Sequence, residues 1–570
     1  MKDIYKIFLF FNASDKKKIY LLILHMVCVS TFEVLSLAML LPFLQGLVAT
    51  DNVNELKLFI FMELYIEGLD TSTYLSYLGF FSIFLIFITF ILRITNLFWI
   101  NKFCYNQQTI ISSRLLDTYM GYSFERFKEN KASDLIRKCG SETDKIIVDV
   151  FIPFFKMTAS FASVLVTASL LAILFPQLVG AIFVGLCTIY LFIFGYVKAK
   201  LELFGQKAFL NNNKRFQVLT DTITGLRTVK IYNMKKEMVD RYSAWAVEVH
   251  RNLSISATLS DLPRYLVEAI GLIAIVGYCL GLIIFSNSSS SYTSVFPTLG
   301  VVGIAGMRML PGIQSIYIGF SKLKFGSEPM SALLKDLNIR ESNSDITYEP
   351  FQLSADDELQ ISNVSFKHVE DDKLIFDNIS LRVPAGQKIA ILGPSGVGKS
   401  TLLDLIAGLK DPTSGYININ ETPFGLEDKL VSYVTQDTFI FGGTIRYNIL
   451  LNNNKVLKTD FYIMEKIKLL GLTSILNTEL IDPLETDLGD LGSTLSGGQR
   501  QRIGILRAIF AERPIMVLDE PNSALDDENS QIVLALIKSL EGVTVILTTH
   551  KESLLEGFDQ VLRLSETSLD

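Results

Sequence analysis

Hydrophobic and polar positions follow two regimes along this chain. Over roughly the first 325 residues the apolar positions form long, nearly unbroken runs. Six of them, at 19–48, 74–100, 150–174, 178–197, 264–285 and 294–318, are long enough to cross a bilayer, which takes about 20 residues. A single run of this kind could pack as a buried core helix; six in one half of a chain read as transmembrane helices. Pro42 and Pro311 fall inside such runs, which membrane helices tolerate when neighbours satisfy the freed backbone groups. From residue 358 onward, short apolar runs alternate with Gly, Pro and polar turns, the pattern of an α/β domain.

The segments between the runs set an orientation. Between the second and third lie Lys102, Arg114, Arg126, Lys128, Lys131, Arg137, Lys138 and Lys145. The segment between the fourth and fifth is equally basic, from Lys198 to Arg251. The opposite connections are uncharged (Phe175-Pro176-Gln177 and Ser286 to Ser291) or acidic (Asp51 to Asp70). The positive-inside rule places the basic segments, both termini and the C-terminal domain in the cytoplasm. Apolar residues recur at helical spacing through both basic segments, so the membrane helices are expected to continue into the cytoplasm and turn back there. Met1 to Lys18 is expected to form a short helix on the cytoplasmic membrane surface, and residues 54–69 are read as a short outer helix or a plain lid.

Composition narrows the partners. Charged residues make up 19% of the chain, below the usual quarter, and apolar residues 49%. The formal charge is −7 with no basic tail or arginine block, which argues against a nucleic-acid partner. The five cysteines, Cys28, Cys104, Cys139, Cys187 and Cys279, lack CxxC spacing and read as small apolar filler. The polar stretch after Asp336 marks a linker. The expected division is a membrane domain over 1–335, a linker over 336–357 and a nucleotide-binding domain over 358–570.

The second domain carries the chemistry. Gly393, Pro394, Ser395, Gly396, Val397, Gly398, Lys399 and Ser400 spell GxxxxGKS after an apolar strand and before a helix, with Thr401 following. Glycines let backbone N–H groups close around phosphates, Lys399 supplies positive charge, and Ser400 offers an oxygen to Mg²⁺. The apolar strand Ile515 to Leu518 ends in Asp519 and Glu520; Asp519 suits Mg²⁺, and Glu520 can polarise an attacking water. Leu495-Ser496-Gly497-Gly498-Gln499 lies one helix upstream of that strand and resembles the signature of ABC ATPases. The resemblance covers Glu358 to about Leu564 in the family's motif order. It implies that Ser496, Gly498 and Gln499 open a helix facing the γ-phosphate of an ATP held by another ATPase domain. It further implies that Gln436 is the Q-loop glutamine, sharing Mg²⁺ with Ser400 and Asp519, that Asp526 ends the D-loop, and that His550 contacts the γ-phosphate. One position departs: where the family stacks adenine on an aromatic, usually Tyr, this chain has His368, either as a weaker stacking face or as an ordinary loop residue.

Six spans followed by an ATPase domain on one chain resemble the export-type ABC half-transporters. That implies an all-α, six-span transmembrane domain followed by an α/β P-loop ABC ATPase domain. It implies coupling helices near 119–128 and 222–231, received by the ATPase around Phe439 to Ile449 and Thr486 to Asp490. One P-loop and one signature per chain require a second chain; because Glu520 and His550 are both intact, an identical copy is the economical partner. ATP and Mg²⁺ are the expected cofactors. No Cys/His peptidase pair precedes the first span, unlike the leader-processing peptide exporters.

Glu33 to Phe43, Leu262 to Gly271 and Met307 to Pro311 resemble the bacterial lipid-linked oligosaccharide flippases of protein N-glycosylation. That implies translocation of a polyisoprenyl pyrophosphate-linked glycan across a bacterial plasma membrane. Arg93, Arg264 and Arg308, at or within spans two, five and six, are then candidates for the pyrophosphate, since guanidinium matches its oxygens. Structural pairing, for instance of Arg264 with Glu268, is the alternative for each. Export of another lipid, a peptide or a drug, or gating of a channel, remains open at this point.

Overall fold

The computed structural model describes residues 2–48, 71–174, 176–285, 309–338, 357–367, 374–420, 422–424, 429–451, 460–489, 492–552 and 555–565. The chain divides into two compact units: Met1–Tyr122 with Phe127–Ser342, and Ser123–Arg126 with Asn343–Asp570.

Among the described residues the first unit is helical. It opens with α1 (Lys2–Leu9) and α2 (Ala13–Val48), then α3 (Thr71–Met120). After the short α4 (Phe124–Glu129), whose first half is assigned to the second unit, come α5 (Ala132–Arg137), α6 (Thr143–Ile146) and α7 (Ile152–Leu174). Two π turns, Lys138–Glu142 and Ile147–Phe151, join α5 to α7 into one rod. Next are α8 (Pro176–Thr224), α9 (Leu226–Ile231) and α10 (Lys235–Phe285), a helix over 309–325, and α11 (Ser327–Leu337). The 50 residues of α3 make a helix about 75 Å long at ~1.5 Å per residue, far more than a hydrocarbon core needs. The expected continuation of the spans beyond the membrane is therefore present, in α3, α8 and α10 and in the rod ending at α7. The first five predicted spans fall inside these helices; of the sixth, 309–318 is described and helical. The outer segment 51–70, His368, Arg308 and Asp490 lie outside the described residues. The two segments expected to hold coupling helices contain α4 and α9.

Burial explains how this unit holds together. Ile7 of α1 and Phe10 and Phe11 of the turn after it join Phe103, Ile111 and Leu115 of α3, Phe151 and Phe155 of the rod, and Met330 and Leu333 of α11 in one apolar cluster. Helix α1, expected on the membrane surface, packs one apolar face on the unit's own helices, with Ile7 fully buried and, just after the helix, the Phe10 ring 5.6 Å from that of Phe151, while Tyr5, Phe8 and Leu9 stay exposed. Its polar face is tied down as well, Asp3 to Lys324 at 2.5 Å and Lys6 to Ser331 at 2.8 Å. Amphipathicity is visible in sequence, but what the apolar face meets is not. Farther along, the Tyr119 hydroxyl donates to Asp336 at 2.7 Å and Lys138 lies 2.9 Å from the same carboxylate, joining α3, the first π turn and α11.

The second unit has two sheets. Strands β1 (Glu358–Lys367) and β2 (Leu374–Pro384) pair antiparallel in a four-stranded sheet, ordered β2-β1-β4-β5, with β4 (Ser414–Ile419) and β5 (Thr422–Pro423). The second sheet is parallel, ordered β6-β7-β8-β3-β9. Its members are β3 (Lys388–Leu392), β6 (Val431–Val434), β7 (Ile515–Asp519), β8 (Thr544–Thr549) and β9 (Gln560–Arg563). All five residues of β7 and all six of β8 are buried, which is why their apolar residues, Ile515 to Leu518 and Val545 to Leu547, follow one another without alternation. The helices are α12 (Lys399–Ile406), α13 (Ile445–Leu450), α14 (Asp460–Leu469), α15 (Gly497–Phe510) and α16 (Asp527–Lys538). Leu402, Leu403 and Ile406 of α12 fill the space between the two sheets with Phe366, Phe376, Ile389 and Val517. Parallel strands put their C-terminal ends on one edge, and the motifs of the sequence gather there.

Candidate functional site

The loop after β3 turns into α12 through two left-handed glycines, Gly396 (φ +85°) and Gly398 (φ +106°). A side chain on Gly398 would be strained by that φ, and its Cβ would lie 2.8 Å from Ile375 Cγ2. The GxxxxGK spacing thus buys a loop that wraps tightly with its N–H groups at a helix N-terminus, the cradle a phosphate chain needs. Lys399 is 5% exposed and donates to the carbonyls of Gly393 at 2.7 Å and Pro394 at 3.1 Å. Ser395 and Ser400 are exposed on the loop and the first turn of α12, and Thr401 is half-buried behind them. Below the loop, Tyr433 donates to Asp404 at 3.2 Å. Burial, together with the Asp404 and Asp519 carboxylates, pushes its phenol well above the usual tyrosine range.

At the end of β7 the chain leaves the strand through Glu520, which has φ +45°. Three predicted residues converge on its carboxylate: the Lys399 ammonium at 3.4 Å, the Gln436 amide at 3.3 Å and His550 Nδ1 at 3.7 Å. These arrive from three different strand ends, after β3, β6 and β8. The Glu520 side chain keeps 14% of its surface exposed, and a small pocket lies beside it, lined by Asn522, Ser523, Thr549, His550 and Lys551. Asp519 is buried and accepts from the Thr548 hydroxyl at 2.8 Å.

The signature residues stand apart. Ser496 caps α15: its hydroxyl accepts from the Gln499 N–H at 3.2 Å, and the Gln499 side chain accepts from the Ser496 N–H at 2.8 Å. Gln499, expected to serve the nucleotide, therefore closes a capping box. The signal was present in the Ser-x-x-Gln spacing. The Ser496 O–H is left as a donor for a phosphate. Gly498 is required by close approach, since a Cβ there would lie 2.8 Å from the Ala524 carbonyl. Asp526 caps α16, accepting from the Asn529 N–H at 2.9 Å. Bonds from the Asn529 backbone and side chain hold its carboxyl below the usual range. Among the described residues, no side-chain hydrogen bond joins Ser496, Gln499 or Asp526 to Lys399, Gln436 or His550 of the same chain.

Several residues around the site escaped sequence reasoning. Gln501 of α15, 1% exposed, donates to the Glu520 carbonyl at 2.9 Å and accepts from the Ala524 N–H at 3.3 Å. Arg446 binds Asp460, Asp482 and Glu485 at 2.5–2.7 Å. Asn448, fully buried, bonds both the N–H and the carbonyl of Phe441. Together with backbone bonds from Ile445 N–H to Thr486 and from Leu488 N–H to Gly443, these lay the Phe439 to Ile449 segment beside Thr486 and Asp487. Apart from Phe441 and Asn448, seven positions apart, the side-chain partners lie 14 to 39 positions from one another and the backbone bonds join separate loops, so no local pattern announces them.

In the membrane unit, Arg93 lies 2.5 Å from Glu33, and the Ser163 hydroxyl bonds the other oxygen of that carboxylate. That ties α3 and α7 to α2 and gives Arg93 the structural pairing that was its alternative reading. Arg264 sits exposed on α10; among the described residues no ion pair with Glu268 forms.

A parallel sheet with a phosphate loop, a carboxylate at the adjacent strand end and a capped signature helix define a nucleotide-binding ATPase domain, joined here to a bundle of membrane-length helices. The comparisons agree on both halves. Residues 376–523 match the ABC transporter family model, and residues 37–304 match the ABC transporter transmembrane region. The chain belongs to the ABC transporters and has the layout of an exporter half-transporter. Relatives include an ATP-dependent lipid A-core flippase of Cupriavidus metallidurans, 26% identical over 394 residues. That match covers 66% of this chain and 63% of the relative's length. A putative export ATP-binding/permease protein of Rickettsia prowazekii is 27% identical over 478 residues, 82% of this chain and 81% of that one. The fold is similar to that of a bacterial Atm1-family ABC exporter with ATP bound, with a TM-score of 0.76 at 18% identity over 98% of this chain and 95% of that chain.

Proposed function

We propose that two copies of this chain form an ATP-driven exporter that carries a lipid-linked, pyrophosphate-bearing oligosaccharide across a bacterial inner membrane. The observation that carries the ATPase half is the convergence of Lys399, Gln436 and His550 on Glu520 at 3.3–3.7 Å. These contacts to Glu520 are longer than tight hydrogen bonds, so its carboxylate is not locked in a strong pair; Lys399 exchanges its bonds to the Gly393 and Pro394 carbonyls when it meets a phosphate. The loop N–H groups and Lys399 bind the phosphates, Glu520 orients and polarises water, and His550 steadies charge at the terminal phosphate. Ser400, Asp519 and Gln436 supply the oxygen ligands that suit Mg²⁺, which neutralises phosphate charge when bound. Among the described residues, no hydrogen bond joins the signature Ser496 to the phosphate loop of its own chain, which supports a second copy completing each site.

The cargo reading rests on the likeness of the membrane part to lipid-linked oligosaccharide flippases, on relatives named as lipid flippases, and on Arg264, a guanidinium in a membrane-length helix. An uncompensated charge at membrane depth costs about 2.5 kcal/mol or more. Arg93 meets that cost through Glu33, so Arg264 and Arg308 carry the anion-binding role. The test is reconstitution in liposomes with a fluorescent polyisoprenyl pyrophosphate glycan, a phospholipid and lipid A. ATP-dependent movement of the pyrophosphate lipid, reduced several-fold in R264Q and R308Q with basal ATPase kept, supports the reading. Movement of another lipid alone replaces the cargo, and no ATP-dependent movement of any of the three overturns the lipid cargo.

A further inference from the structure

Thr548 lies two residues before His550 and touches both Asp519 and Glu520, and none of the ATPase motifs named above includes it. It pairs with Asp519 in the register of β7 and β8, and its side chain is fully buried. Its hydroxyl makes two short hydrogen bonds, with the Leu518 carbonyl farther off at 3.5 Å. It donates to Asp519 Oδ1 at 2.8 Å and accepts from the Glu520 N–H at 3.1 Å. One O–H donor and one lone pair are thereby committed to consecutive residues. Strand side chains alternate, so Thr548 and His550 share a face, and His550 Nδ1 reaches the Glu520 carboxylate from the other end of that residue.

Glu520 needs such a hold. With φ at +45° it occupies the left-handed region that a residue with a Cβ enters at a cost in strain. Such a conformation persists where the surroundings over-determine it. Here the Glu520 N–H is taken by Thr548, its carbonyl by Gln501, and its carboxylate is left for Lys399, Gln436 and His550. A valine at 548 has nearly the same shape. It would leave the buried Asp519 oxygen without its donor and the Glu520 N–H without its acceptor.

We infer that Thr548 is a positioning residue for ATP hydrolysis: its hydroxyl sets the direction of the Asp519 carboxylate and holds Glu520 in the left-handed turn that aims its carboxylate at the reacting water. This rests on the ATPase reading above. The chain should therefore bind ATP normally without the hydroxyl yet turn it over slowly, and a serine, which keeps the hydroxyl, should suffice.

The experiment compares full-length dimers of the parent chain, T548V, T548S and T548A. It reads kcat, KM, equilibrium binding of a fluorescent ATP analogue, and amide hydrogen exchange of the peptide covering 515–523. The expected result is a 10- to 100-fold fall in kcat for T548V, with KM and analogue binding within about 3-fold. Faster exchange at 515–523 accompanies it, and T548S recovers to within about 3-fold. T548A, which keeps neither hydroxyl nor shape, should match T548V in kcat and stands in for it if T548V does not form dimers. Parent-like kcat in T548V or T548A overturns the inference, as does a T548S as slow as T548V. A loss of analogue binding equal to the loss of kcat also overturns it, because a general collapse of the site then explains both. A parent chain that hydrolyses no ATP contradicts the ATPase reading itself, an outcome distinct from all of these.

Discussion

Glu520 in the ATPase unit and Glu33 in the membrane unit are both largely buried carboxylates facing cationic groups, and their surroundings differ in a telling way. Glu520 has three polar neighbours, each at 3.3 Å or more, contributed by three strand ends. Glu33 has Arg93 at 2.5 Å and a still closer serine hydroxyl, contributed by two packed helices. Loose contacts leave a carboxylate free to act on a ligand, while short ones use it up in holding helices together. A charge at membrane depth is costly without a partner, which is why the second arrangement belongs there.

Replacing Glu520 by Gln should separate the two kinds most sharply. E520Q keeps shape and hydrogen bonds but cannot polarise water, so steady-state hydrolysis should fall at least about 100-fold while ATP still binds. Phosphate release and nucleotide binding on the same preparation check this. Hydrolysis near the parent rate would make Glu520 another structural carboxylate and erase the contrast.

R93Q should act in the opposite sense, on folding and not on turnover. It leaves Glu33 without its cation and should cost about 1–3 kcal/mol, lowering the melting temperature in detergent by several degrees. Basal kcat of the folded fraction should stay within about 2-fold. The double variant E33Q/R93Q should recover part of the loss, because both charges are then gone. Full stability of R93Q with impaired cargo movement would instead return Arg93 to the cargo path.

A smaller effect tests whether short distance alone confers strength. Arg446 holds Asp460, Asp482 and Glu485 as closely as Arg93 holds Glu33, but toward solvent. The hydrogen bond from Arg446 holds the Asp460 carboxyl below its usual range. A depressed folded pKa contributes stability that is complete above the unfolded value near 4 and is lost as pH falls through the folded value. D460N should therefore cost only about 0.2–1 kcal/mol at pH 7, and its melting temperature should converge with that of the parent as pH falls below 4. A constant difference across that range would rule out the ion pair as its source.

What the sequence announces follows the same division. The phosphate loop, Asp519-Glu520 and the signature are each contiguous, because they sit in turns at strand ends where a few adjacent residues set the geometry. Their spacing therefore stated the chemistry, and β7 and β8 declared themselves by apolar runs. The Ser-x-x-Gln spacing that makes Gln499 the end of a capping box was legible too. In the membrane unit the deciding partners are far apart: Arg93 and Glu33 by 60 positions, Tyr119 and Asp336 by 217. Hydrophobic periodicity gives the helices but not which faces meet, so the docking of α1 on its own bundle, the Arg93 pair and the two π turns had no local signal. Thr548 was hidden for a related reason, since a threonine in a buried strand reads as an ordinary β-branched residue until its neighbour on β7 is known.

The proposed exporter rests on an ATP site shared between two copies of the chain. In an E520Q background, K399A damages the phosphate loop and S496R the signature. A dimer mixing one of each, isolated through two different tags, then has one site with both defects and one with neither. The measurement is the number of ATP molecules retained per dimer after rapid gel filtration. About one per mixed dimer, with none in either parent variant, is the predicted result; none in the mixed dimer would contradict a site shared between two copies.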